Sequence, residues 1–102
     1  MNNVTILGRL VRDFTQVATQ SGGLSKNTIA INENYKGKES TQFINIVAFG
    51  KTGDTLSKYV SKGQRVAIQG RLQSGSYEKD GRTVYTTEVI VDSFTFVEPK
   101  AS

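Results

Sequence analysis

The sequence has 102 residues, the size of a single domain with one hydrophobic core. It contains no cysteine and no histidine, which excludes disulfides, thiolate metal sites and a histidine general base, so no metal or cofactor is expected. Lys and Arg number 13 against 9 Asp and Glu, and the resulting net charge of +4 favours an anionic partner such as nucleic acid.

The first half of the chain predicts three β-strands. Residues 4–11, 24–32 and 41–50 are rich in β-branched residues and alternate apolar with polar side chains, as half-buried strands do. The polar and basic segment 32–40 lies between the second and third strands, where we expect a loop or a hairpin tip. The Ser-Gly-Gly cluster at 21–23 predicts the turn before the second strand.

The third strand is unusual because both of its faces carry apolar side chains. Alternation along a strand puts a core-like set on one face: Ile44, Ile46 and Ala48. The opposite face should meet solvent in an antiparallel sheet, yet it carries a mixed set: Phe43, Asn45, Val47 and Phe49. Two phenylalanines on a solvated face indicate a role other than core packing.

The second half predicts one helix and two strands. Over residues 52–63, apolar side chains including Tyr59 recur at the spacing of one helix face, so this ring is expected to pack. Residues 64–74 alternate, with Leu72 on the inward face, and residues 83–98 form a long β-branched run.

An Asp-Gly pair at 80–81 predicts a tight hairpin between the last two strands. This dipeptide favours a type I′ turn, because that turn needs positive φ at both central positions. The register would then place Lys79 opposite Arg82 and Tyr77 opposite Val84. Tyr77 would lie on a two-stranded arm that extends from the sheet.

Three strands, a helix and two more strands are the order of a five-stranded Greek-key OB-fold barrel, with the long hairpin joining strands 4 and 5. A β-sandwich needs about seven strands, and the full helical stripe argues against an SH3-like barrel. We expect one all-β OB-fold domain at 1–98 and a short C-terminal end at 99–102. No apolar run approaches the ~20 residues of a membrane span, so we expect a cytoplasmic protein without a membrane partner.

The sequence has few features that would support catalysis. Phe-Gly-Lys-Thr at 49–52 resembles the end of a phosphate-binding loop, but Asn45 stands where that motif needs its first glycine. The carboxylates are scattered, and no nucleophile is accompanied by an activating base. We therefore expect a protein without enzymatic activity.

Aromatic and basic residues point instead to single-stranded nucleic acid. Every base has a flat π-face, so aromatic rings stack on bases without reading the sequence, while cations follow the phosphates. Four rings lie beside cationic or hydrogen-bonding groups: Tyr35, Phe43, Phe49 and Tyr77. Their location and charge make five basic residues candidate DNA contacts: Arg9, Lys36, Arg71, Lys79 and Arg82.

Five segments match a known family in order and spacing: NVTILGRLVRD (3–13), FINIVAFGK (43–51), YVSKG (59–63), VAIQGRL (66–72) and YEKDGRTVYTTEV (77–89). In these segments the chain resembles, nearly end to end, the OB domain of bacterial and phage single-stranded-DNA-binding proteins. The resemblance implies a homotetramer that wraps single-stranded DNA without strong sequence preference, in replication, recombination and repair, at the nucleoid or replication fork.

The same resemblance assigns roles to individual residues. The stacking rings of the family match the four rings named above, and its phosphate-contacting cations match Lys51 and Lys62. Three features depart from the family pattern: the absence of tryptophan, a short loop at 33–41, and the absence of an acidic C-terminal tail. Because that tail recruits replication and repair enzymes in the family, the sequence leaves open whether this chain binds such partners.

Two other interpretations remain open at this point. One is a dimeric OB-fold accessory protein of the primosome or of replication restart, which acts mainly through protein partners. The other is an OB module that binds RNA or an oligosaccharide. The oligomeric state and competition with other polymers distinguish them from the first interpretation.

Overall fold

The computed structural model describes residues 1–20 and 22–97. In chain order these residues form β1 (Val4–Leu10), β2 (Thr15–Thr19), β3 (Gly22–Tyr35), β4 (Lys38–Phe49), α1 (Gly50–Tyr59), β5 (Arg65–Lys79) and β6 (Arg82–Phe96). The predicted C-terminal end at 99–102 lies outside the described residues.

Five strands close a barrel in the order β1-β5-β6-β4-β3, and β1 returns to pair with β3. Along the chain, the helix α1 lies between β4 and β5, which are the third and fourth barrel strands in sequence, so the predicted OB-fold is confirmed. The short strand β2 is additional and pairs only with the first part of β3. Sequence reasoning missed it because all five of its residues are exposed, which leaves no apolar alternation to detect.

The barrel interior is filled by aliphatic side chains from β1, β3, β4, β5, β6 and the helix: Leu10, Ile29, Ile46, Ala48, Leu56, Val60, Val66, Ile68, Val89 and Val91. Helix α1 packs closely on this core, since a Cβ added at Gly53 would lie 2.5 Å from the Ala48 carbonyl oxygen. The helix begins two residues before the predicted start and ends at Tyr59.

The prediction that Tyr59 packs on the core was wrong, and the end of α1 explains why. Tyr59 was expected to pack, but its ring is nearly half exposed, with the Lys58 ammonium 5.5 Å from the ring centroid. The chain becomes extended at Val60, with φ −121° and ψ 126°. This change of direction turns Val60, rather than Tyr59, into the core.

Two hairpins extend the sheet beyond the barrel. In the β5–β6 hairpin, Asp80 and Gly81 have φ of 52° and 75°, and the register pairs Lys79 with Arg82, as predicted. The β3–β4 hairpin turns at Lys36-Gly37 with the same signs of φ, so of the two predicted alternatives segment 32–40 is the hairpin tip, and most of its residues belong to the two strands.

The β5–β6 hairpin corrects the prediction for Leu72. The pairing of β1 with β5 ends at Val4 and Gly70, so the following residues of β5 leave the barrel. Leu72 keeps the inward alternation, but it lies past the core and is 50% exposed. The inward face of a strand is therefore buried only where other elements cover it.

Candidate nucleic-acid interface

The outer face of the sheet, which points away from the barrel core, carries two exposed rings of β4. Phe43 pairs with the small Ala30 and Phe49 with Leu24, and their side chains are 66% and 51% exposed. This confirms that both rings of the third predicted strand lie on its solvent-facing side. Flat apolar surfaces in this position are available to a ligand.

Val47 lies on the same outer face but is buried, so the prediction that this whole face is wet was wrong at one position. Here β4 is paired on both sides, with Lys26 of β3 and with Ile90 of β6. Neighbouring side chains therefore cover Val47 from both directions. Because β6 does not pair with β4 beside Phe43, the ring of Phe43 remains exposed.

Tyr77 lies on the outer face as well. It pairs with Val84, which lies six positions before Ile90 in β6. Because six is an even step, Val84 and Ile90 are on the same face, and Ile90 is the partner of Val47. The Tyr77 ring is 53% exposed. The structure thus places Phe43, Phe49 and Tyr77 on one face of a continuous sheet.

Tyr35 is placed differently from the other three rings. It pairs with Lys38 at the tip of the β3–β4 hairpin, and alternation puts it on the face that carries Ile29 and Ile44. The ring is 72% exposed, and the Lys36 ammonium lies 5.4 Å from its centroid. Tyr35 therefore offers a separate ring-and-cation platform at the hairpin tip.

Arg9 lies in a row with one of the rings. It pairs with Ala30, which pairs in turn with Phe43, so the three residues cross adjacent strands on the outer face. Its guanidinium donates a hydrogen bond to the Gly63 carbonyl at 2.9 Å. The row continues on the other side to Arg65, a cation that sequence reasoning missed although the alternation of β5 places it outward.

Lys51 and Lys62 lie at the two ends of α1. Lys51 is in the first turn, two residues after Phe49, and the 10-residue helix spans about 15 Å. Lys62 lies in the turn that follows, where its backbone N–H donates to the Asp13 carboxylate at 2.9 Å. Both side chains are exposed, and Lys51 is close in the chain to the exposed ring of Phe49.

Three of the predicted basic residues lie on β5 and β6, and a carboxylate engages one of them. Lys79 and Arg82 face each other across the ladder, an unfavourable pairing of like charges that a bound anion relieves. Arg71 forms a 2.9 Å ion pair with Asp92, both half-exposed. That carboxylate offsets the charge of Arg71 and so lowers its attraction for a phosphate.

A pocket of about 400 Å³ opens on the outer face, where its lining includes Asn45 and Val47, the two outward residues of β4 that lie between Phe43 and Phe49 in the strand. We call it the Asn45 pocket; its polar lining includes Arg12, Lys26, Thr28, Asn45 and Glu88. Sequence reasoning did not assign a function to this group. Its members come from four separate segments of the chain, so no local pattern connects them.

Other kinds of site receive no support from the described residues. Within residues 1–20 and 22–97, no three Asp or Glu side chains are grouped as a metal site requires. The ten-residue helix α1 is too short to cross a membrane, and nowhere in these ranges is there a helix that is long and apolar enough.

Comparison with known proteins gives one consistent result. A family model described as the single-strand binding protein family matches residues 1–97. A single-stranded DNA-binding protein of Clostridium perfringens is 43% identical over 101 residues, covering 96% of this chain and 67% of the relative. Single-stranded DNA-binding protein 1 of Staphylococcus aureus strain Mu50 is 44% identical over 107 residues, covering 100% of this chain and 69% of the relative.

The fold also has a close structural counterpart. The chain is similar to a solved structure titled Plasmodium falciparum SSB complex with ssDNA, with a TM-score of 0.87 and 23% sequence identity. The superposition covers 96% of each chain. At this identity the likeness concerns the fold.

Proposed function

The chain belongs to the single-strand binding protein family, whose members bind DNA without catalysing a reaction, and from this premise we propose that it coats single-stranded DNA without strong sequence preference. The observation that carries the proposal is the pair of exposed rings, Phe43 and Phe49, on one sheet face lined with cations. In this proposal the bases stack on the rings and the phosphates contact the lysines and arginines.

Stacking supplies the sequence-tolerant part of the affinity. Each base stacked on an aromatic ring contributes about 1–3 kcal/mol, so the four rings together offer a gross ~4–12 kcal/mol before the cost of ordering the strand. Three of them share the outer face, and Tyr35 extends the surface to the tip of the β3–β4 hairpin. A DNA strand that contacts all four rings passes over the edge of the barrel and along the β3–β4 and β5–β6 hairpins.

Cations supply the part of the affinity that depends on salt. Lys51 adjoins Phe49, and Lys79 and Arg82 adjoin Tyr77 on the arm. Because the protein would bind the unpaired form of DNA, it would keep hairpins melted by mass action. This activity suits a role in replication, recombination and repair in the cytoplasm, where single strands are exposed.

We expect a short dT oligonucleotide to bind far more tightly than duplex DNA of equal length, because the bases of a duplex cannot reach the rings. The logarithm of the affinity should fall with the logarithm of salt concentration by about 0.7 for each neutralised phosphate. Titration followed by fluorescence anisotropy measures both. Equal affinities for dT and duplex, or an affinity that salt does not change, would contradict the proposal, and competition with poly(U) or glycans would then identify the ligand.

We also propose that the chain assembles as a homotetramer. Leu7 on the outer face of β1 and Phe96 near the end of β6 are about half exposed, and apolar side chains of this size favour burial between subunits. Sedimentation equilibrium is expected to give the mass of four chains, and Leu7→Glu to lower it, whereas Val17→Glu on β2 leaves it unchanged. A stable dimer would contradict the tetramer and favour the accessory protein.

A further inference from the structure

We infer that the Asn45 pocket binds the edge of a guanine base and gives the interface a preference at one position of the strand. The inference rests on the proposed function, because it requires a single strand on the outer face. Phe43 and Phe49 are six residues apart, about 20 Å along β4. A strand stacked on both rings must pass over the pocket between them.

The floor of the pocket is a connected hydrogen-bond network. Arg12 Nη1 donates to Thr28 Oγ1 at 3.2 Å, and Thr28 Oγ1 donates to Asn45 Oδ1 at 3.0 Å. The amide oxygen of Asn45 thus accepts one hydrogen bond from Thr28. Within the described residues no hydrogen bond uses its NH₂ group, so these two donors are available to a ligand. This places hydrogen-bond donors at one side of the pocket.

Buried Asn27 holds this network in place. Its side-chain N–H donates to the Arg12 carbonyl at 2.8 Å, and its side-chain oxygen accepts from the Thr28 backbone N–H at 2.7 Å. Both Asn27 and Thr28 are buried. The polar groups are thus positioned before a ligand arrives, which lowers the free-energy cost of binding.

Glu88 supplies the acceptor at the other side. It precedes Val89, the partner of Ile46, so the parallel pairing of β4 with β6 brings it beside Asn45. Its side chain is half-buried, and within the described residues no hydrogen bond or ion pair engages the carboxylate. A partly desolvated carboxylate without a partner is stabilised by a ligand that donates to it.

Guanine matches this arrangement better than the other bases. Its Watson–Crick edge presents two adjacent N–H donors, at N1 and N2, which can both reach the two oxygens of one carboxylate. Its O6 accepts from Asn45, Arg12 or Lys26. Thymine has one ring N–H between two carbonyl oxygens, which would be repelled by Glu88, and adenine and cytosine offer a single amino group.

A phosphate is the competing ligand for the same pocket. Arg12 and Lys26 would attract it, but the Glu88 carboxylate opposes an anion in this position. A base edge uses both the donors and the acceptor, whereas a phosphate uses only the donors. The geometry therefore favours a base.

The test compares short dT oligonucleotides in which the central residue is dT, dG, dA, dC or deoxyinosine. The dG oligonucleotide is expected to bind about fivefold more tightly than the dT one, the lower end of the contribution of a bidentate base contact. Deoxyinosine lacks the N2 amine, so part of the preference should be lost. In Glu88→Gln the preference for dG should disappear, while in Glu78→Gln, which alters an exposed carboxylate on the arm, it should remain.

The other possible results of this test contradict either the inference or the proposed function. Equal affinity for all five oligonucleotides, or a dG preference that survives in Glu88→Gln, overturns the inference. So does a Glu88→Gln variant that binds every oligonucleotide more tightly by the same factor, since this would place a phosphate in the pocket. In all these cases binding to dT persists; loss of dT binding by the unmodified protein would instead overturn the proposed function.

Discussion

Leu56→Ala is expected to lower the free energy of unfolding by about 2–5 kcal/mol, the usual cost of removing a buried leucine side chain. Leu56 is 0% exposed and lies on the face of α1 that packs on the barrel interior. Because Gly53 already holds the helix in close contact with β4, the helix cannot move far to fill the cavity. Chemical denaturation followed by circular dichroism, at a fixed protein concentration, measures the change.

Leu72→Ala is the matched control for this experiment. It removes the same atoms from a side chain that is half exposed on the β5–β6 arm, so we expect a change within about 0.5 kcal/mol. If both substitutions destabilised the protein equally, either Leu72 would be covered in the assembly or the helix would not close the barrel. A loss for Leu56→Ala as small as the one expected for Leu72→Ala would contradict the packing described above.

The double substitution Phe43→Ala and Phe49→Ala is expected to weaken binding to a dT oligonucleotide by about 2–6 kcal/mol, the sum of two stacking contributions. The two effects should add, because the rings are ~20 Å apart and do not contact each other. The melting temperature should change little, since both rings are largely exposed. Binding is measured by titration and stability by thermal denaturation of the same preparations.

Tyr85→Ala provides the control for the ring substitutions. Tyr85 is 80% exposed, and its pairing with Ser76 puts it on the face of the arm opposite to Tyr77. We expect it to leave the dT affinity nearly unchanged. If Phe43→Ala alone reduced stability by about 3–5 kcal/mol, as for a buried phenylalanine, the ring would be a subunit contact rather than a base-stacking platform.

Features encoded in neighbouring residues were predicted from the sequence with high accuracy. The Asp-Gly turn and its pairing of Lys79 with Arg82 were correct to the residue, because positive φ at two consecutive positions is a local requirement. The outward direction of Phe43 and Phe49 was also correct, because alternation depends only on the strand itself. The order of strands and helix was sufficient to predict the barrel.

Burial at individual positions was decided by the tertiary structure. Val47 and Leu72 each follow the expected alternation, yet one is covered where strands flank it on both sides and the other is exposed where its strand leaves the barrel. Strand β2 has no buried face, so nothing in its sequence distinguishes it from a loop. In these cases the determining contacts come from other strands.

The candidate interface likewise combines residues that were predicted from the sequence with residues that only the tertiary structure brings together. That its four rings and seven cations bind DNA stays a prediction. These residues were predicted from the sequence, Lys51 and Lys62 through the resemblance to the family. The Asn45 pocket was not, since Arg12, Asn45 and Glu88 are far apart in sequence and meet only when β4 pairs with both β3 and β6. The sequence by itself determined the order of the five barrel strands and the alternation of side chains along them, and only closure of the barrel decided which of those side chains meet.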